Sequence, residues 1–209
     1  MTTPTIRQPV AKRVSEAVGA RVGALQRGYL NDESWAVAAL AQLRGGAGKL
    51  PEEAHDLVGL TGAEGLYDGG GLSEAEEIRA EAALFLAVTL YALHQQSRSD
   101  QGMHRRGAEL GAAVRRLMPP GDLDEPILKH FRRVGAAETR AALAERLRQI
   151  VSLLRRESIP LDYALLSEQL YLAQTPEGMR QVRARWGRSF HAYRSTDSGD
   201  AGSTDKDPR

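Results

Sequence analysis

Ala141-Ala142-Leu143-Ala144-Glu145-Arg146-Leu147-Arg148-Gln149-Ile150-Val151-Ser152-Leu153-Leu154-Arg155-Arg156 is the stretch whose reading decides the fold. Leu143, Leu147, Ile150, Val151 and Leu154 recur at offsets of 0, 4, 7, 8 and 11. That spacing places all five on one stripe of an α-helix. At about 100° per residue, Arg148 and Arg155 lie nearly above one another at the edge of the stripe. The helix therefore predicts two things, a core on one side and aligned guanidinium groups beside it. For one helix alone, a solvated charged face and a polyanion-binding face are both consistent with the pattern.

Outward from this helix, the same grammar repeats. Helices are predicted from about Lys12 to Tyr29, and across Trp35, Ala39 and Leu43 with Asn31 or Asp32 as cap and Gly45-Gly46 as stop. Ser73 and Glu76 form a capping-box pattern and open the most apolar helix, about Glu74 to Gln96, with Ile78, Ala82, Phe85, Leu86, Thr89 and Leu93 on its main face. Leu84, Val88 and Leu90 cover the other faces, so this helix is expected at the centre of the fold.

Arg106 to Leu117 follows, where Gly107 and Gly111 would allow close approach. Next come a helix through Ile127, Leu128, Phe131 and Val134 capped by Asp122 or Asp124, and one through Tyr163, Leu166 and Leu170 capped by Asp162. Thr175-Pro176-Glu177 starts the last helix, expected to bury Met179, Val182, Trp186, Phe190 and Tyr193.

Residues 45–72, with Pro51 and the Gly69-Gly70-Gly71 run, read as a loop with one short helix near Glu52 to Leu57. No strand-like alternation appears. The expected architecture is all-α, a bundle of about eight helices. It divides at Pro119-Pro120-Gly121 into an N-terminal unit, 11–118, and a C-terminal unit, 122–194, flanked by disordered segments at 1–10 and 195–209.

The 209 residues include no Cys, which excludes disulfides, thiolate catalysis and Cys-ligated zinc. No signal peptide or membrane span is read, so the expected localisation is cytoplasmic, with no membrane partner. The net charge of +1 conceals a segregation. Residues 51–97 hold 9 acidic and 1 basic residue, whereas residues 98–194 hold 18 basic and 11 acidic. A basic surface attracts polyanions, and an acidic one repels them or meets a basic neighbour.

Among the five histidines, no paired spacing for a metal occurs, and no Walker A, GxGxxG or GxSxG pattern is present. His55-Asp56 is a lone dipeptide, and Glu74, Glu76, Glu77 and Glu81 cluster where a helix dipole favours them. The reading is of no catalytic residues, no metal and no cofactor. The arginines are the informative set, since a planar fork suits phosphate oxygens. Trp35, Trp186, Phe85, Phe131 and Phe190 sit on apolar helix faces, so backbone contact without base readout is the expected mode.

Four ordered blocks resemble the small-subunit family of the type I-E CRISPR surveillance complex, Cascade (the CasB family). They are Ala38-Ala39-Leu40-Ala41-Gln42-Leu43-Arg44-Gly45 with Gly48-Lys49 and Pro51; Leu90 to Gln96 with Met103-His104-Arg105-Arg106-Gly107 and Leu110 to Leu117; Phe131-Arg132-Arg133-Val134 with Leu147 to Arg155; and Ile159-Pro160-Leu161-Asp162-Tyr163 with Gln174-Thr175-Pro176-Glu177 and Val182 to Phe190.

The resemblance implies a non-enzymatic, all-α subunit that pairs with a second copy of itself and with other Cascade subunits. It implies contact with guide RNA and target DNA, which stabilises their pairing and the displaced strand. The matching basic positions are Arg44, Arg105, Arg106, Arg115, Arg116, Arg132, Arg133, Arg148, Arg155, Arg185 and Arg188. Two departures stand out. Gly45 follows Arg44 where members often carry a second arginine, and Ser189 stands where many have Asp. A structural spacer, whose arginines meet neighbouring proteins, is the competing reading; a metal-dependent nuclease using His55, Asp56 and the glutamates at 74–81 is a third.

Overall fold

A helix that is apolar on every face must be wrapped by others, and the chain supplies the wrapping. The computed structural model describes residues 9–68 and 70–193. Among them are eight α-helices: α1 Val10–Leu30, α2 Ser34–Leu43, α3 Glu74–Gln95, α4 Leu110–Arg115, α5 Glu125–Gly135, α6 Arg140–Arg156, α7 Tyr163–Leu172 and α8 Pro176–Ala192. From Ala82 to Ala92, every residue of α3 is buried. Helix α1 packs on α3 and α7, α6 and α7 pack on α3, α5 on α6, and α4 on α8. The only β feature among the described residues is an isolated bridge between His104 and Leu161. The apolar core runs without a break from Val10 to Phe190, across the Pro119-Pro120-Gly121 connection. Of the terminal segments expected to be disordered, only Pro9 and Val10 fall within the described residues, and Val10 opens α1. None of the described helices is long and apolar enough to cross a membrane.

Helix starts follow local chemistry. Asp124, Thr139, Asp162 and Thr175 each accept a hydrogen bond from a backbone N–H in the first turn of α5, α6, α7 and α8. At α3, the Glu76 carboxylate accepts from both the Ser73 backbone N–H (2.8 Å) and its hydroxyl (2.7 Å). All five apolar residues of the α6 stripe are buried.

The structure corrects several expectations. Trp35 is 47% exposed, because it sits in the first turn of α2 with its indole N–H donated to Glu33. Ile78 is likewise exposed, since α3 leaves the bundle in its first turns. Neither Asn31 nor Asp32 caps α2; its N-cap is Glu33, and Asp32 takes a left-handed turn at φ 56°. Gly45 and Gly46 do not stop α2 with a left-handed residue. A 3-10 turn, Arg44–Gly46, continues it, and Gly46 is required because a β-carbon there would lie 2.9 Å from Thr89 Cγ2. Helix α4 is shorter than expected: Gly107 adopts φ 78° ahead of it, so of the two glycines only Gly111 serves close helix contact. Tyr193 is half-buried at the end of α8, outside the core.

The segment read as a loop with one short helix is built of further 3-10 turns, Pro51–Glu53, His55–Leu60 and Ala63–Leu66. Their carbonyls are held from α1. Arg21 donates to Leu60 O through Nε (3.0 Å) and Nη2 (2.6 Å), and the buried Arg13 donates to Leu66 O and to Gly70 O (3.0 Å).

At Gly111 a β-carbon would overlap the Trp186 carbonyl and lie 2.6 Å from Phe190 N, so α4 meets the backbone of α8 directly. Gly111→Ala is expected to cost about 2 kcal/mol net, because overpacking outweighs the helix propensity gained. Thermal unfolding checks it, with a fall of about 4–8 °C expected for a domain of this size.

Beneath the same region His94 is fully buried, its Nδ1 2.8 Å from the Tyr163 hydroxyl, and burial pushes its pKa down to about 3. The unfolded chain therefore binds a proton below about pH 6.5 that the folded chain refuses. Stability is expected to fall as pH drops from 6.5 toward 4. Denaturant titrations should show that slope shallower in His94→Leu by about 1 kcal/mol per pH unit.

Candidate nucleic-acid interface

The eleven arginines expected to meet nucleic acid are not equivalent once folded. Among the described residues, the guanidinium groups of Arg44, Arg105, Arg106, Arg116, Arg133, Arg148 and Arg188 are exposed and make no hydrogen bond or ion pair. The other four are engaged. Arg115 donates to Pro119 O (3.1 Å), Arg132 pairs with Glu125 (2.8 Å), Arg155 donates to Gln96 Oε1 (2.7 Å), and Arg185 meets Glu109 at 3.4 Å.

One group gathers where α6 passes the segment that follows the 3-10 turn after α2. Arg148 lays its aliphatic stem over Gly48, where a β-carbon would lie 2.6 Å from Arg148 Cδ. About two turns further on, Arg155 reaches Gln96, and Gln96 lines a cleft of about 130 Å3 together with Arg44, Tyr29 and Leu40. Arg44, Arg148 and Arg155 thus share one side of the molecule. Arg98, which the sequence reading did not single out, fixes this side. Its Nη2 donates to Arg155 O (2.7 Å) and Arg156 O (3.1 Å), satisfying the carbonyls that end α6. A basic side chain near a helix C-terminus is the local signal that finds it, but Arg98 lies 57 residues away in sequence.

A second group surrounds the contact of α4 with α8. The loop before α4 is pinned from several elements. Gln26 accepts from His104 N (2.8 Å), Asp162 Oδ2 accepts from Gly107 N (2.8 Å), and the Ala108 carbonyl accepts from Asp162 N (2.8 Å). A fixed backbone there turns Arg105 and Arg106 outward. Burial, the largest cause, lowers the pKa of His104, so it sits neutral with Nδ1 accepting from Tyr163 N (3.2 Å). Across from this loop, Arg185 and Arg188 lie on α8. Between them opens a cleft of about 530 Å3 lined by Gly107, Glu109, Ala112, Arg185, Arg188, Ser189, Ala192 and Tyr193.

The remaining arginines lie on α5 and at the end of α4. Arg132 and Arg133 ride the outer face of α5, and Arg146 of α6 donates to the Arg133 carbonyl (2.6 Å). Arg116 stands exposed one turn beyond Ala112. The acidic block, residues 51–97, forms an ion pair with the basic block at Glu52 and Arg140 (3.8 Å). Within the acidic block the Tyr67 hydroxyl donates to Glu81 (2.6 Å), a bond that pushes the phenol pKa up to about 12. His55 and Asp56 are exposed at the start of a 3-10 turn, and among the described residues no three His, Asp or Glu side chains gather to hold a metal.

The family profile of CRISPR-associated protein Cse2 matches residues 39–191. The crystal structure of CasB from Thermobifida fusca is 52% identical, covers 86% of this chain and 98% of its own, and superposes with a TM-score of 0.79. A chain of a CRISPR RNA-guided surveillance complex shares the fold at 20% identity and a TM-score of 0.63, over 85% of this chain and 95% of its own. No curated protein sequence matches. The all-α bundle, the ordered blocks that carry the arginines and these matches together make the chain a member of the CRISPR-associated Cse2 (CasB) family.

Proposed function

We propose that this protein is the non-catalytic small subunit of a type I-E CRISPR surveillance complex. In that role it stabilises pairing between guide RNA and target DNA and holds the displaced strand against its basic surface. The observation that carries the reading is the set of seven exposed arginines that no carboxylate or carbonyl of the described chain satisfies. Exposed guanidinium groups held on a rigid helical frame serve phosphate contact, because the protein has given them no other partner. Family membership supports the place in the complex; on this reading the partners are the other subunits, guide RNA, target DNA and a second copy of the chain.

Exchanging a DNA duplex for a guide–target hybrid is nearly balanced in base-pairing energy. Modest backbone contacts therefore decide how long the opened state lasts. Each contact at the surface is weak and screened by salt. A row of them acts together once one strand is tethered.

The test is the lifetime of the opened target on complexes assembled with and without this subunit, at two salt concentrations. Lifetime is expected to fall without it, and the benefit to shrink as salt rises. An unchanged lifetime would favour the structural-spacer reading. Charge reversal at Arg148 and Arg155 is expected to leave assembly intact and shorten the lifetime by about tenfold, two phosphate contacts becoming repulsive. If that variant instead drops out of the complex before DNA is added, the arginines meet protein.

A further inference from the structure

The cleft between α4 and α8 has features that plain backbone contact does not require. It is an open cleft of about 530 Å3, with room for a nucleotide-sized unit. Its floor is made possible by Gly111, which lets the two helices touch, and its walls differ in chemistry. One wall carries Arg188, which is unpaired, and the Ser189 hydroxyl, donated to Trp186 O at 3.1 Å. The far end is closed by the half-buried Tyr193. Glu109 stands on the opposite lip, 3.4 Å from Arg185, with both side chains partly open to water.

We propose that this cleft is a subsite for one unpaired nucleotide of a single strand. Its phosphate sits on Arg185 and Arg188, its base lies against the Tyr193 ring, and Glu109 acts as a resident competitor for Arg185. This inference rests on the nucleic-acid reading above and narrows it. An aromatic wall beside two guanidinium groups matches the pairing of stacking platform and charged groove that single strands use, and a base already stacked in a duplex cannot reach such a ring. The loose Arg185–Glu109 pair is a counter-ion that an incoming phosphate displaces. It lowers affinity and prevents the subsite from trapping any polyanion it meets. The absence of a carboxylate at Ser189 matters for the same reason, because an acid there would add a second competitor.

The test uses the full chain and a labelled oligothymidine strand, with the same sequence as duplex for comparison. Glu109→Gln is expected to bind the strand about threefold more tightly, the size of effect that releasing an exposed ion pair provides. Tyr193→Ala is expected to weaken it by about fivefold or more, while Tyr193→Phe binds like the wild type, since stacking needs the ring and not the hydroxyl. Duplex binding should be indifferent to Tyr193→Ala.

If Glu109→Gln and Tyr193→Ala both leave strand affinity unchanged while charge reversal at Arg148 and Arg155 weakens it, the cleft assignment is overturned and the general reading stands. If the wild type binds no strand at all, both fall. Tighter binding by Glu109→Gln with no effect of Tyr193→Ala overturns the nucleotide assignment.

Discussion

The burial of α3 on every side is the constraint from which the rest of the molecule follows. A helix with Leu84, Phe85, Leu86, Val88 and Leu90 pointing in all directions has no solvent face to spare from Ala82 to Ala92. Its neighbours must each give it an apolar stripe, as α1 does with Val14, Val18, Val22 and Leu25, and as α6 does with Leu143, Leu147, Ile150, Val151 and Leu154. Once those stripes are spent inward, the outward arcs of the wrapping helices are mostly polar. On the C-terminal helices many of those residues are arginines. The basic surface is therefore the reverse side of the core. Burying α3 sets the rotation of α6, which in turn decides where Arg148 and Arg155 stand.

Arginine serves two purposes in this chain, and burial separates them. Arg13, Arg21 and Arg98 spend their donors on backbone carbonyls: Leu66 and Gly70, Leu60, and the C-terminal end of α6. A planar fork with several donors can satisfy two carbonyls at once, which lysine does less well. These residues order segments that make few regular hydrogen bonds of their own. The exposed set does the reverse, keeping its donors free on elements that are already rigid. The fixed loop before α4 shows the connection. Gln26 and Asp162 tie down its backbone, so Arg105 and Arg106 need not contribute to holding it.

How much of this could be read from sequence depends on the range of the interaction. The α6 stripe and the caps at Asp124, Asp162 and Thr175 were legible, because each is a rule about residues within a few positions of one another. Residues 45–72 were not, since Arg13 and Arg21 order them from α1 and nothing in the segment itself announces that. Trp35 and Ile78 were placed inward by periodicity. Periodicity gives the face of a helix but not where along it the neighbours end, and both residues lie in first turns that project from the bundle. The sequence names the arginines as candidates, and the fold shows which of them stand exposed. Which arginines are already spoken for was not legible. Glu125 is seven residues from Arg132, and Glu109 is 76 from Arg185.

On the proposed function, in which the basic surface holds nucleic acid during a nearly balanced strand exchange, nothing is gained from binding too strongly. The structure tempers its own charge in several places. Arg132 is matched by Glu125 and Arg185 is loosely met by Glu109, while Arg155 keeps its charge but has donors held by the Gln96 amide oxygen. Each partner is exposed or half-exposed, so each pair is cheap to break and gives back little when broken. In that role the unpaired arginines would supply attraction over a distance set by the ionic strength, and the paired ones would engage only when a phosphate outcompetes the resident group. Affinity of that kind is graded: it grows with the number of correctly placed phosphates and vanishes when the strand is absent. A subunit that must reward a fully opened target, yet leave random nucleic acid alone, is better served by such a surface than by one of bare charge.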